Sequence, residues 1–219
     1  MKKPLLWAFL PLLLTGCSSS SWDAVYSTWK ASGAGEKDAK LTNDYVRQLP
    51  YASLLVAIEP RAEALLVLES VDTNRLNWRA SNGGIISTEG GRVVSFRVDD
   101  SQYRLTNNAQ QPDPVRAQDW QYAAPYRLYF DFPHLQLFQQ GFDCQLSTGE
   151  VKPFKTPLRQ GSAQVYIERC QLTHGNYRNL NEYWVDNQGK LVKAKQAFHP
   201  KLPGAIVFSE AKPLGWTGE

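Results

Sequence analysis

The sequence predicts a mainly β protein: a single antiparallel, meander-type sheet domain (a curved sheet, half-barrel or sandwich) with one or two short N-terminal helices. Three observations predict it. Apolar residues recur with period two from Pro50 almost to the C-terminus. Clusters of Gly, Asn, Asp and Pro often interrupt them at spacings of about 8–12 residues, as an all-β sandwich or barrel requires. Aromatic residues make up 12% of the chain, which suits twisted sheets with half-buried faces. No composition shift marks a second domain, and no internal repeat is found.

The N-terminus reads differently. Lys2 and Lys3 precede LLWAFLPLLL at 5–14, and Leu14-Thr15-Gly16-Cys17 closes the run. Positive head, apolar middle, small residues and a cysteine are the order of a bacterial lipoprotein signal peptide. A bilayer-spanning helix needs about 20 apolar residues, and Pro11 removes a helical hydrogen bond inside this short run. The expected organisation is a cleaved signal at 1–16, a lipidated Cys17 with a serine tether at 17–21, and one mainly β domain at 22–219. Inner-membrane retention in lipoproteins of this kind goes with Asp after the cysteine, whereas Ser18 favours the outer membrane. The expected location is therefore the periplasmic face of the outer membrane, held by acyl chains on Cys17.

Charge and cysteine count follow from that cleavage. The whole chain has 24 basic and 21 acidic residues; losing Lys2 and Lys3 leaves 22 against 21, a net charge of +1. Such a balance does not suit nucleic acid, and no nucleic-acid partner is expected. Lys190, Lys193, Lys195 and Lys201 form a local basic run that reads as the wet face of a strand. With Cys17 acylated, the odd count of 3 cysteines resolves into one pair, Cys144 and Cys170, which an oxidising periplasm joins as a disulfide. No Cys-x-x-Cys spacing points to redox chemistry.

The elements can be justified in turn. In 22–29, Trp22, Val25, Tyr26 and Trp29 recur at helical spacing, with Ser21 as cap and Gly33 and Gly35 as stops. That aromatic stripe suits either a membrane interface or the domain surface; a single basic residue, Lys30, on its polar face favours packing on the domain. A second helix fits Thr42 to Leu49, ended by Pro50. Strands are expected at 51–58 and 65–71, then at 75–80. Ile85–Thr88 and Arg92–Val98 flank the turn Glu89-Gly90-Gly91, and 102–106 follows. After a polar loop at 107–114, Trp120–Phe132 alternates, with Tyr126, Leu128, Phe130 and Phe132 on one face and Arg127, Tyr129 and Asp131 on the other. His134–Leu146 and Val151–Phe154 are read as separate strands around a Ser147-Thr148-Gly149 turn, with 155–162 a loop. Strands at 163–172, 180–185, 191–198 and 205–209 complete the domain.

Catalytic patterns are scarce, and no enzyme, cofactor or metal site is expected. His134, His174 and His199 are dispersed and make no metal-binding spacing. There is no Gly-x-Ser-x-Gly elbow, and the glycine pairs precede strands rather than phosphate-binding helices. Asp99 and Asp100 are adjacent, so on a strand they point to opposite faces. Asp131 and Asp143 are the carboxylates that a glycoside hydrolase would have to oppose across a cleft. A curved sheet can also enclose an apolar cavity, so a carrier or chaperone of a lipid or lipoprotein is the alternative function.

Several stretches together carry a resemblance. The lipobox at Cys17, Leu49-Pro50-Tyr51-Ala52-Ser53, Trp78-Arg79-Ala80 leading to Gly91-Arg92-Val93-Val94, and Tyr183-Trp184-Val185-Asp186 with Gly189-Lys190-Leu191-Val192 resemble the YjbF/GfcB lipoproteins, in order and over most of the chain. The resemblance implies a mostly β lipoprotein of the outer membrane, facing the periplasm and accessory to exopolysaccharide or group-four capsule secretion or assembly. Its implied partners are polysaccharide or polysaccharide-export proteins. It carries over one residue role, the lipid-bearing cysteine, onto Cys17, and no catalytic residue.

Overall fold

The computed structural model describes residues 42–59, 63–81, 83–98, 101–105, 112–198 and 204–217. Cys17 and the Trp22/Trp29 stripe lie outside them. The first described element is α1, Asn43–Gln48. Thr42 caps it by accepting a hydrogen bond from the Tyr45 N–H at 3.2 Å, and Pro50 follows its end.

Twelve strands follow among the described residues: β1 Ser53–Ile58, β2 Ala64–Asp72, β3 Arg75–Ala80, β4 Ile85–Glu89, β5 Arg92–Val98, β6 Ser101–Leu105, β7 Tyr126–Phe132, β8 Leu137–Lys155, β9 Gln160–Leu172, β10 Arg178–Asp186, β11 Leu191–Gln196 and β12 Ile206–Lys212. Each pairs antiparallel with its sequence neighbours, and β12 returns to β1, so the ladder closes into a barrel. Val56 marks the closure: it lies opposite Phe208 on one side and Ala64 on the other. The expected antiparallel meander is present, and its curl runs to full closure.

Alternation decides which face turns inward. In β7, Tyr126, Leu128, Phe130 and Phe132 are buried, while Arg127, Tyr129 and Asp131 are only half-buried. An eight-stranded barrel is just filled by its side chains, and twelve strands enclose more space. Here large rings project into that space. Phe130 meets Phe142 edge-on at 5.3 Å and Phe198 at 5.9 Å, and Trp78 and Tyr183 belong to the same buried cluster. Burying each such side chain contributes about 1.5–3 kcal/mol. The faces are the reverse of a membrane-spanning barrel, which is apolar outside and polar within. No helix among the described residues is long and apolar enough to cross a membrane.

The chain reaches β1 at one end of the barrel, the near rim. Antiparallel pairing places there the β4–β5 turn, the segment between β6 and β7, the tip of β8–β9, the β10–β11 turn and the end of β12. The far rim carries the β3–β4 turn, the 3-10 turn Pro133–Leu135 and the 173–177 turn.

Two expectations need correction. Ser147-Thr148-Gly149 is no turn, because β8 runs unbroken for 19 residues. The register shifts between Thr148 and Val151, so the segment is a bulge. Gly149 is there for close approach: a Cβ at this position would sit 2.9 Å from the Ile167 Cδ1 and 3.1 Å from the Val165 carbonyl oxygen. The real turn is 156–159, closed by the Thr156 N–H donating to the Arg159 carbonyl at 2.7 Å. Second, 120–125 is not strand. A short helix, α2 (Pro114–Ala117), precedes β7 instead, capped by Asp113.

The β8–β9 hairpin extends past the near rim, and its tip residue Arg159 bonds both Asp186 on β10 and Glu210 on β12 (3.0 Å to the latter). A second small apolar cluster packs outside the barrel wall here. It comprises Ala163, Val165, Trp184 and Val192, with Phe154 and Ile167 against them.

Candidate functional site

The chemically richest place is a polar cluster inside the barrel, under the near rim. β5 begins with Arg92, which has no exposed surface. All five guanidinium N–H donors are used. Nε and one Nη reach the two Asp113 oxygens at 3.0 and 2.9 Å. The Glu168 oxygens accept at 2.8 and 2.6 Å, and the Tyr183 hydroxyl oxygen accepts at 2.9 Å. The fork of Arg suits this double bidentate geometry, which Lys cannot reproduce.

Glu168 comes from the inward face of β9 and is itself fully buried. Besides Arg92 it accepts from the Tyr126 hydroxyl, from Asn181 Nδ2 at 2.6 Å and from the Tyr183 hydroxyl at 3.0 Å. Burial acts to raise its pKa, but the Arg92 charge and these donors outweigh that and hold it at about 2. Burial first, and the negative charge of Glu168 with it, push Tyr126 and Tyr183 well above the ordinary tyrosine range. Both phenols therefore stay protonated as donors.

Asp113 does two jobs. Its Oδ1 caps α2 by accepting from the Val115 and Arg116 N–H groups at 3.1 and 3.3 Å, while both oxygens hold Arg92. The β4–β5 turn fixes α2 from outside. Arg116 bonds Glu89, which also holds Arg75 at 2.8 Å. Gly90 has φ +58, and a Cβ there would stand 2.3 Å from the Arg116 carbonyl oxygen. Next to the cluster, Gln196 accepts from the Val93 N–H at 3.1 Å and donates to the Gly91 carbonyl at 2.8 Å.

The predicted cysteine pair lies beside this cluster. Cys144 and Cys170 are directly opposed on β8 and β9, with sulfurs 1.99 Å apart as a disulfide and Cα atoms 4.1 Å apart. With Glu168 they bring ligand-type atoms within 4.8 Å of one another. The sulfurs, however, are joined to each other, and the Glu168 oxygens are already taken up by five donors. The cluster is a sealed clasp linking β5, α2, β7, β9 and β10, with its donors and acceptors satisfied internally.

The carboxylates considered for glycan chemistry are elsewhere. Asp131 accepts from the Gln139 N–H at 2.8 Å and so holds the bulge at the β7–β8 turn, where Gln139 has φ +51. Asp143 is exposed and pairs with Arg127 at 2.6 Å across the same two strands. Both lie on the outer surface, and neither opposes another carboxylate over a cleft. His134 sits in the 3-10 turn of the far rim and His174 in the 173–177 turn. Lys193 lies 5.0 Å over the Trp184 ring, and Lys195 pairs with Glu59 at 2.7 Å, so these two lie on an outer strand face, whereas Lys190 precedes β11 in the β10–β11 turn. His199, Lys201, Asp99 and Asp100 lie outside the described residues.

Outside the near rim, Leu49–Ala52, Leu68 and Lys212–Trp216 line an open groove of about 350 Å³. Sequence reasoning missed both the clasp and the groove. One signal for the clasp was present: Tyr166, Glu168 and Cys170 alternate on one strand face, so the carboxylate had to share the interior with a buried cysteine.

The comparisons agree with this architecture. The lipoprotein YjbF of Escherichia coli K12 is 25% identical over 202 residues, covering 90% of this chain and 91% of its own. The lipoprotein GfcB of the same organism is 22% identical over 216 residues, 96% of this chain and all of its own. The crystal structure of the lipoprotein YmcC from Escherichia coli K12 superposes with a TM-score of 0.68 at 17% identity, covering 84% of this chain and 94% of that one; this shows a common fold. The family described as group 4 capsule polysaccharide lipoprotein GfcB, YjbF matches residues 24–205, and the chain belongs to that family.

Proposed function

We propose that this protein is a lipid-anchored, non-catalytic accessory to exopolysaccharide or capsule secretion, held through Cys17 at the periplasmic face of the outer membrane. It acts by binding the glycan or a protein of the export machinery. The family match over 24–205 carries the reading. The geometry supports it: the charged groups of the Arg92 clasp satisfy one another, so recognition falls to the rims and the outer wall. The Cys144–Cys170 disulfide belongs to the same reading, as an oxidised bond of a periplasmic protein.

A carrier of lipid or lipoprotein is less well supported. The described inward-facing side chains form one apolar cluster, but the family's description names capsule polysaccharide rather than a carried lipid. The discriminating experiment is a clean deletion with complementation. Loss of extracellular polysaccharide, restored by the wild-type gene and not by Cys17→Ala, is the expected result. A deletion strain that exports and assembles its polysaccharide normally would refute the proposal.

A further inference from the structure

The groove outside the near rim has a composition and a position that belong together. Tyr51 is 56% exposed and Leu214 62%, and Pro50, Pro213 and Trp216 line the same groove. Tyr and Trp concentrate at the boundary between lipid and water, where an apolar ring and a polar edge are both accommodated. The Lys212 ammonium donates to the Arg47 carbonyl at 2.8 Å and to the Leu49 carbonyl, which fixes a positive charge on the groove wall. Anionic headgroups attract such a charge.

Position adds the second argument. Thr42 caps the helix whose C-cap, Leu49, lines the groove, and 25 positions separate Thr42 from Cys17. That stretch reaches at most about 80–90 Å. It confines the rim to a volume in which its concentration at an anchoring bilayer is on the order of 1 mM. A weak surface contact is enough under those conditions. The near rim is the end of the barrel at which the chain from Cys17 arrives.

We infer that the groove is a bilayer contact. Tyr51, Leu214 and Trp216 sit in the headgroup region of the phospholipid leaflet that holds the acyl chains of Cys17, and Lys212 faces lipid phosphate. The inference rests on the lipid-anchor reading. It sets the barrel upright, near rim on the membrane and far rim toward the periplasm.

Nitroxide labels at Leu214→Cys and, on the exposed far-rim turn, at Ser81→Cys test it. The labelled full-length mature lipoprotein is placed in phosphatidylethanolamine/phosphatidylglycerol vesicles, and collision with a water-soluble nickel chelate is measured. Interfacial groups lie about 5–10 Å into the headgroup boundary, so reconstitution should lower the collision rate at 214 roughly tenfold and leave 81 unchanged. A label at 214 that stays as accessible as the one at 81 overturns the inference. So does one already shielded in the Cys17→Ala protein without vesicles, which would mean that another part of the chain or a second copy covers the groove. Intact mass separates the two levels: an unmodified Cys17 refutes the anchor itself, whereas an acylated protein with water-exposed 214 refutes the contact alone.

Discussion

Replacing Glu168 by Gln is the sharpest perturbation of the clasp. The side chain keeps its shape and loses its charge, and one of its two oxygens becomes an NH2 group. In the native structure Oε1 faces Arg92 and Tyr126, and Oε2 faces Arg92, Asn181 and Tyr183. Whichever oxygen is replaced, an amide donor then meets an Arg92 N–H donor with no water to take it up. Breaking a buried ion pair by removing one partner costs about 3–5 kcal/mol, and the present geometry places Glu168→Gln in that range. Arg92→Met should cost at least as much, because it strands two carboxylates. The double variant should cost less than the two singles added, since Asp113 is then the one carboxylate left without Arg92. Urea unfolding followed by tryptophan fluorescence measures all three. A pH dependence accompanies the native clasp. Glu168 titrates at about 2 in the fold against an ordinary 4.5, so the unfolded chain binds more protons in between. Its stabilisation is complete above about pH 5 and is lost as pH falls toward 2. Glu168→Gln should flatten that part of the profile. A Glu168→Gln protein within 1 kcal/mol of wild type, by the same scale, with an unchanged acid slope, would refute the reading of the cluster as a structural clasp.

Other outcomes follow from the same geometry. Gly90→Ala adds a Cβ in a left-handed backbone and against the α2 carbonyls, and should destabilise by about 2–4 kcal/mol; Gly189→Ala, with φ +78 but open space around it, should cost about 1–2 kcal/mol, so the difference in urea midpoint reports the α2 contact. Reducing or removing the Cys144–Cys170 bridge, which closes 26 positions, should cost about 3.5 kcal/mol by loop-closure entropy, seen as a lower midpoint in dithiothreitol. Arg159→Ala should release the hairpin tip from Asp186 and Glu210 and speed hydrogen exchange across 156–162 while leaving β7 protected. Cys17→Ala should leave the membrane fraction or retain residues 1–16, read by fractionation and intact mass.

Much of the wall was legible because it is local. The alternation of 126–132 named the inward face correctly, and Glu89-Gly90-Gly91 and Asp186–Gly189 marked real turns. Closure was not legible: β1 meets β12 across more than 140 positions, and no local pattern encodes such a partner. The clasp was hidden for the same reason. Arg92 finds Asp113 at 21 positions and Glu168 at 76, and Asp113 reads in isolation as an ordinary cap before Pro114. Gly149 misled because a glycine chosen for close approach on a bulge looks, in sequence, like one chosen for a turn. Lipidation at Cys17 was argued from the sequence alone, and the family match now places the chain among lipoproteins.

A sheet whose first and last strands pair with each other leaves neither of them as a free border. Strand addition, a common way for one protein to capture another's extended segment, therefore has no foothold along β1 or β12. The outer half of β8 differs: β7 pairs with it only as far as Cys144, whereas β9 follows it to Lys155. Closure thus guards the two ends of the meander against pairing with a second copy, and leaves the projecting hairpin as the part of the wall with a border of its own.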